Sequence, residues 1–207
     1  PADSKPPELV QALAAELAQL GLQSVRIHSD GYLCGWLPSS PGCEGVPCVG
    51  LIASLSNTPG NRAGLAELLT AVELLSCQPA LCHGRVALAA APADTGADAP
   101  PLDLERFGAA VAYTLEPGPL GEIAYTGEAI EPHQYLILRA RAAMESIGLI
   151  PSEQPAPAQA GGARLSRQGL PCPCLSTGAS ESAPPSADTL EQMSQMLVHL
   201  LTVQPET

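Results

Sequence analysis

The chain has 207 residues and a formal net charge of −12, from 21 acidic and 9 basic side chains. This length suits a single domain, residues 1–207, that buries a sizeable core. Aromatic residues make up only 3% of the chain, and no run of Lys or Arg is present to neutralise several phosphates, which argues against nucleic acid and anionic membranes as partners. No apolar run has the length of a membrane span and residues 1–7 lack a targeting pattern, so we predict a cytoplasmic protein.

The seven cysteines are an odd number in a chain too large to need disulfides for its stability. We therefore predict reduced thiols. Cys77 with Cys82, and Cys172 with Cys174, lack the two-residue gap of a zinc knuckle, which argues against a zinc or cluster site at either pair.

The first third of the chain predicts a helix, a hairpin and a buried strand. Leucines at helical spacing between positions 9 and 20 indicate an amphipathic helix that ends at Gly21. An Asp-Gly turn joins strands predicted at 23–29 and 32–37. The nearly continuous apolar run at 48–55 is typical of a central strand that is covered on both faces.

The later elements alternate between strands and helices. We predict helices at 63–76, 102–107, 132–147, 164–168 and 188–203, and strands at 85–91, 110–115, 121–126, 150–154 and 172–176, with 121–126 at a sheet edge. Strands separated by helical crossovers are typical of parallel sheets. We therefore predict an α/β fold, a three-layer α/β/α sandwich with a mostly parallel central sheet and a ligand crevice beyond the strand ends.

Several segments in chain order together carry a resemblance to one family. They are residues 31–38, 41–53, 63–70, 107–108, 112–122, 162–166, 169–171 and 177–178. The sequence resembles the peptidase T family, tripeptide aminopeptidases in which two zinc ions polarise a peptide carbonyl and a Glu activates the bridging water. The resemblance covers nearly the whole chain and implies the catalytic-domain fold of the zinc peptidases.

The resemblance also implies where metal ligands should stand, and the chain departs from the family there. Ser54 and Ser56 replace the His and Asp of the first ligand motif, and Gly60 falls in the motif that supplies the carboxylate bridging both metals. Serine hydroxyls are weak zinc ligands because they lack the basicity of imidazole or the charge of carboxylate. We therefore expect no bound metal and no cofactor.

The remaining family motifs are altered as well. Asp94 and Thr95 occupy the segment of the general base and a further ligand, but the Asp94 side chain is one methylene shorter than Glu and Thr95 cannot replace a carboxylate. Glu116 stands at an aspartate ligand position. Residual weak metal binding through Asp94 and Glu116 is an alternative, although two carboxylates do not complete the four-ligand sphere of zinc. We predict no catalytic residues.

The family's smaller lid or dimerisation domain would lie between about residues 123 and 132, where this chain has too few residues to form it. Loss of a lid removes the groups that close a dry site over substrate. The resemblance therefore implies a monomer or a weak dimer.

These departures favour a catalytically inactive peptidase T-like protein that binds or scaffolds a peptide, small molecule or protein. Two alternatives remain at this point. One is residual or altered hydrolase activity in the same crevice, for example with Ser54 or Ser56 as nucleophile, His83 or His133 as base and Asp94 as orienting acid, although the strained turn of a nucleophile elbow is missing. The other is an engineered, minimised peptidase scaffold.

Overall fold

The structure is a computed structural model, and it describes residues 8–92, 101–126 and 131–203. Its strands are β1 (Gln23–Ile27), β2 (Leu33–Leu37), β3 (Val49–Ser54), β4 (Val86–Ala91), β5 (Val111–Glu116), β6 (Glu122–Tyr125), β7 (Ser152–Pro155) and β8 (Cys174–Ser176). Its helices are α1 (Glu8–Gln19), α2 (Pro59–Cys77), α3 (Leu104–Phe107), α4 (Glu131–Ser146), α5 (Gly161–Arg167) and α6 (Ala187–Leu201).

The strands form one sheet in the order β1-β2-β4-β3-β5-β8-β6-β7. The neighbouring strands β4, β3, β5 and β8 are parallel, so their carboxyl ends lie at one edge. β6 was predicted at a sheet edge, and this is wrong. It lies between β8 and β7, because β7 pairs alongside it from Glu122 opposite Ser152.

Helices cover both faces of the sheet, as the sequence predicted. On one face, α1, α2, α4 and α6 pack through buried side chains such as Leu13, Leu68, Leu136 and Leu197. On the other face, α3, α5 and the loop after α5 contribute Phe107, Leu165 and Leu170. The three-layer α/β/α architecture with a mostly parallel centre is therefore confirmed.

The start of α2 differs from its predicted position at residue 63. The helix begins four residues earlier, since the hydroxyl of Thr58 accepts hydrogen bonds from the Asn61 amide N–H at 3.5 Å and from Asn61 Nδ2 at 2.8 Å. Pro59 follows this N-cap at the first helical position, where its missing N–H costs nothing. Pro59 and Gly60 thus lie in the first turn of the helix, and Asn61 of the same turn lines the crevice.

Cysteine pairing is a second correction. The prediction of reduced thiols is wrong for Cys43 and Cys82, which form a disulfide with their Cα atoms 6.4 Å apart. The loop before β3 and the segment before β4 meet here, because Ser40 donates its hydroxyl to the Leu81 carbonyl at 2.8 Å.

Among the described residues, no helix has the length and apolar character needed to cross a membrane.

The main core encloses the carboxyl group of a glutamate. Glu67 of α2 has 0% of its surface exposed, and neither carboxylate oxygen has a hydrogen-bond partner among the described residues. Burial raises the pKa of Glu67 to about 8, because a carboxylate loses its hydration in the interior. The acidic groups of the covering helix α6, Asp188 and Glu191, are exposed. Glu67 is therefore buried as the neutral acid at pH 7.

Glu67 should make the protein less stable as the pH rises. Its pKa is above the unfolded value, so between about pH 4.5 and pH 8 the folded state holds a proton that the unfolded state has released. The free energy of unfolding should fall by up to about 1.4 kcal/mol per pH unit in this window. Urea unfolding at several pH values measures this slope.

Glu67→Gln should flatten that pH dependence, since glutamine does not ionise. Glu73→Gln is the matched control, because Glu73 is on the same helix but exposed. If Glu67→Gln keeps the wild-type slope, the buried carboxyl is not what couples stability to pH.

Candidate active-site crevice

A cavity of about 400 Å³ lies beyond the carboxyl ends of β3, β4, β5 and β8. This is the edge where open α/β sheets bind ligands. Its polar lining includes Ser54, Asn61, Glu116, Glu122, Arg164 and Glu181. Apolar side chains such as Ile52, Leu115 and Pro117 supply the rest of the wall.

The structure brings two of the predicted positions together. Ser54 and Glu116 are the last residues of the neighbouring parallel strands β3 and β5, each directly after the paired residues Ala53 and Leu115. Ser56 does not line the cavity, and its amide N–H donates to the Ser54 hydroxyl oxygen at 3.1 Å. Asp94 and Thr95 lie outside the described residues.

Gly60 sits where the helix α2 comes closest to the loop after β5. A Cβ built on Gly60 would lie 2.7 Å from Pro117 Cγ and 2.8 Å from the Ser180 carbonyl oxygen. Such distances are well inside van der Waals contact, and one of the two neighbours is backbone. This position therefore has no room for the side chain of a bridging carboxylate.

Glu116 is held by three donors on a single oxygen. Its Oε1 accepts from the Thr114 hydroxyl at 2.9 Å, the Gly162 amide N–H at 3.1 Å and the Cys174 thiol at 3.3 Å. Burial raises the pKa of Cys174 to about 12, and nearby Glu116 adds to the rise, so the thiol keeps its proton and can donate. Glu116 is thus bound into the fold.

Two crevice residues were missed by the sequence interpretation. Tyr32 of the hairpin and Arg164 of α5 both line the cavity, and their side chains are hydrogen-bonded to each other. Burial raises the pKa of the Tyr32 phenol, and the Arg164 guanidinium partly opposes this rise. The segment 162–166 was singled out for its resemblance, and that was the available signal for Arg164.

The histidines considered as bases do not reach the crevice. His83 Nδ1 lies 2.8 Å from the Gly84 carbonyl oxygen, and His133 Nε2 lies 3.2 Å from the Ser166 hydroxyl. Neither lines the cavity, and burial lowers the pKa of His133. The nucleophile and base of the hydrolase alternative, Ser54 with His83 or His133, are therefore not brought together.

The residues at this site do not fit a two-zinc centre. Within residues 8–92, 101–126 and 131–203, no group of three or more His, Cys, Asp and Glu side chains is placed to hold a metal ion. Zinc sites in proteins need three or four such ligands. At two positions that the resemblance aligns with metal ligands, Gly60 is crowded and Glu116 is already hydrogen-bonded.

Comparison with known proteins places this fold. No protein-family profile matches the chain. Peptidase T of Vibrio cholerae serotype O1 is 27% identical over 172 residues, covering 56% of this chain and 42% of the relative. Peptidase T of Desulfitobacterium hafniense is 26% identical over 183 residues, covering 60% and 44%. The chain thus spans less than half the length of these curated relatives.

Solved structures give the same picture for the fold. An aminopeptidase, PepT, from Bacillus cereus superposes with a TM-score of 0.76 at 14% identity, covering 95% of this chain and 92% of that one. A dinuclear metal-binding peptidase of the M20 family from Bacillus subtilis gives 0.65 at 11% identity, covering 94% and 91%. The chain is therefore similar in sequence to peptidase T and shares the fold of these solved peptidases.

Proposed function

We propose that this protein is a peptidase T-like binding protein that holds its ligand in the crevice without metal and without hydrolysis. The observation that carries the proposal is the crowding at Gly60, where a Cβ would meet Pro117 and the Ser180 backbone. One substitution restores a missing metal ligand only if the site has room for the new side chain. Here Pro117 and the Ser180 carbonyl occupy the space that a side chain at position 60 would need.

The charges of the crevice support a short zwitterionic peptide as the ligand. Glu122 and Glu181 supply carboxylates for a peptide ammonium group, and Arg164 supplies a guanidinium for a carboxylate. The cavity volume of about 400 Å³ lies within the range of small-ligand sites, ~300–1,000 Å³. The solved tripeptidase of Staphylococcus aureus, with a TM-score of 0.72, acts on tripeptides by its name.

Residual hydrolase activity is the weaker alternative. Ser54 lines the crevice, but its oxygen accepts from the Ser56 amide, and no described histidine lies beside it.

The proposal also includes the absence of a lid between about residues 123 and 132. Residues 127–130 of this segment lie outside the described residues. It further includes a cytoplasmic location.

Gly60→Ala should destabilise the protein by about 1–3 kcal/mol, because the added methyl overpacks against Pro117 and Ser180. Helix propensity alone would favour alanine, so a loss of stability isolates the crowding. Urea unfolding measures the change in free energy. Gly45→Ala is the matched control, because a Cβ at Gly45 meets nothing within 4 Å. A Gly60→Ala variant as stable as wild type would mean that a carboxylate fits here after all.

Metal content tests the proposal directly. Protein purified without chelator should contain no stoichiometric zinc by plasma mass spectrometry, and calorimetric titration with zinc should show no tight site. Trialanine should bind by calorimetry and remain intact by chromatography. Two equivalents of tight zinc, or metal-dependent cleavage of trialanine, would establish a rebuilt peptidase site and overturn the proposal.

The binding half of the proposal has its own control. Glu122→Gln should weaken trialanine binding, since it removes a carboxylate from the crevice wall. Glu145→Gln should not, because Glu145 is on α4 and does not line the cavity. Equal affinities for the two variants would contradict the assigned role of Glu122.

Light scattering should show a monomer or a weak dimer at micromolar concentrations, because the proposal includes the absence of the lid through which the family dimerises. Tyr135 and Leu138 of α4 are 60% and 64% exposed, and they are the apolar groups that a dimer would cover. A tight dimer that Leu138→Ser dissociates would contradict the expected assembly.

A further inference from the structure

A second cavity of about 480 Å³ lies over β1 and β2, close to the amino end of β4. Arg26 of β1, Arg85 before β4 and Arg106 of α3 all line it, together with His28 and Trp36. We call it the arginine pocket. It shares no lining residue with the crevice. A chain with a net charge of −12 and only 9 basic residues places three of them around this one cavity.

A β-bulge in β1 is what directs Arg26 into the pocket. Gln23 pairs with Trp36, but the next registered pair is Arg26 with Cys34, so β1 has one residue more than β2 over this stretch. An unbroken register would place Val25, not Arg26, opposite Cys34. Because successive strand residues face opposite sides, the extra residue turns Arg26 to the side of Trp36 and Cys34.

The bulge is made at a backbone cost. Ser24 has φ of 53°, the one positive φ outside glycine among the described residues, and it lines the arginine pocket. A left-handed conformation is unfavourable for a residue with a Cβ. Strained backbone of this kind clusters at functional sites. The strain therefore supports a role for the side chain that the bulge presents.

Arg85 is fixed in the pocket without a carboxylate partner. Its guanidinium carbon lies 4.3 Å from the centroid of the Trp36 ring, a cation–π contact. Its Nε is buried and has no hydrogen-bond partner among the described residues. Arg26 and Arg85 form no ion pair with any described residue, so the donors of both remain for a ligand.

Two acidic groups lie near the pocket, and one of them neutralises Arg106. Asp103 is paired with Arg106 at 3.1 Å, and it also caps α3 by accepting from the Arg106 amide N–H at 3.1 Å. Asp30 accepts from the Tyr32 amide N–H at 3.1 Å. Burial, with a smaller contribution from both aspartates, raises the pKa of the neighbouring Cys34 to about 12. Arg106 is thus balanced by Asp103, whereas Arg26 and Arg85 form no ion pair with a described residue and leave the pocket cationic against the remaining Asp30.

We propose that the arginine pocket binds the phosphoryl group of a small phosphorylated ligand. One carboxylate is satisfied by one guanidinium fork, whereas a phosphoryl dianion offers several acceptor oxygens and matches several arginines converging from different elements. Arg26 and Arg106 approach from the rim as exposed groups, and Arg85 lies held on Trp36. This site is independent of peptide binding in the crevice.

Trp36 makes the test direct, because it is the only tryptophan of the chain and lines the pocket. Its fluorescence is followed while inorganic phosphate or O-phosphoserine is added, with sodium chloride and sodium acetate at matched ionic strength. We expect a saturable change with phosphate or O-phosphoserine and none with chloride. Tighter binding of O-phosphoserine identifies a phosphorylated metabolite or peptide as the source, and equal binding identifies free phosphate.

Two substitutions assign the site to the arginines. Arg26→Gln and Arg106→Gln are at exposed positions and should each weaken phosphate binding by about tenfold, the loss expected for one charge-assisted contact. Arg141→Gln, an exposed arginine of α4 outside the pocket, is the control and should bind as wild type. No saturable response in the wild type, an equal response to acetate, or unchanged affinity in Arg26→Gln would overturn the proposal.

Discussion

The close approach of α2 to the carboxyl end of β5 governs the chemistry of the crevice. Gly60 and Gly64 lie one turn apart on the side of α2 that faces this edge, and a Cβ on Gly64 would already lie 3.1 Å from Leu115 Cβ. Helix and strand can approach this far only because both positions lack side chains. The same contact that consolidates the three-layer core therefore leaves no space for a larger side chain at position 60, which the resemblance aligns with a carboxylate.

Glu116 shows how the fold holds a carboxylate at a position that the resemblance aligns with a metal ligand. A carboxylate near the interior is costly unless it is hydrogen-bonded. Thr114, the Gly162 amide and Cys174 supply three donors to one oxygen, so the charge is met by fixed protein groups. Glu67 shows the opposite solution, since it has no partner among the described residues and is buried as the neutral acid.

Periodicity and apolar runs predicted most of the fold because burial of strands and helix faces is encoded locally. The run at 48–55 became the central strand β3, and the leucine stripe after Ala63 became the buried face of α2. Features that depend on contacts between residues distant in sequence could not be predicted from the sequence. The pairing of Cys43 with Cys82 rests on two loops meeting, and the position of β6 inside the sheet rests on β7 pairing beside it. Motif comparison located Ser54, Gly60 and Glu116, but the crowding around Gly60 comes from Pro117 and Ser180.

The arginine pocket is another feature that the sequence patterns did not predict. Arg26, Arg85 and Arg106 are far apart in sequence. A search for runs of basic residues therefore does not find the cationic pocket that these arginines form in the folded protein. Their assembly depends on one extra residue in β1, and a sequence pattern does not show which side of a strand a bulged residue faces. Folding gathers these arginines around a cavity on the hairpin of β1 and β2, whereas the carboxylates Glu116, Glu122 and Glu181 line the crevice. In a chain with a net charge of −12, a cavity lined by arginines attracts anionic groups that the rest of the surface repels.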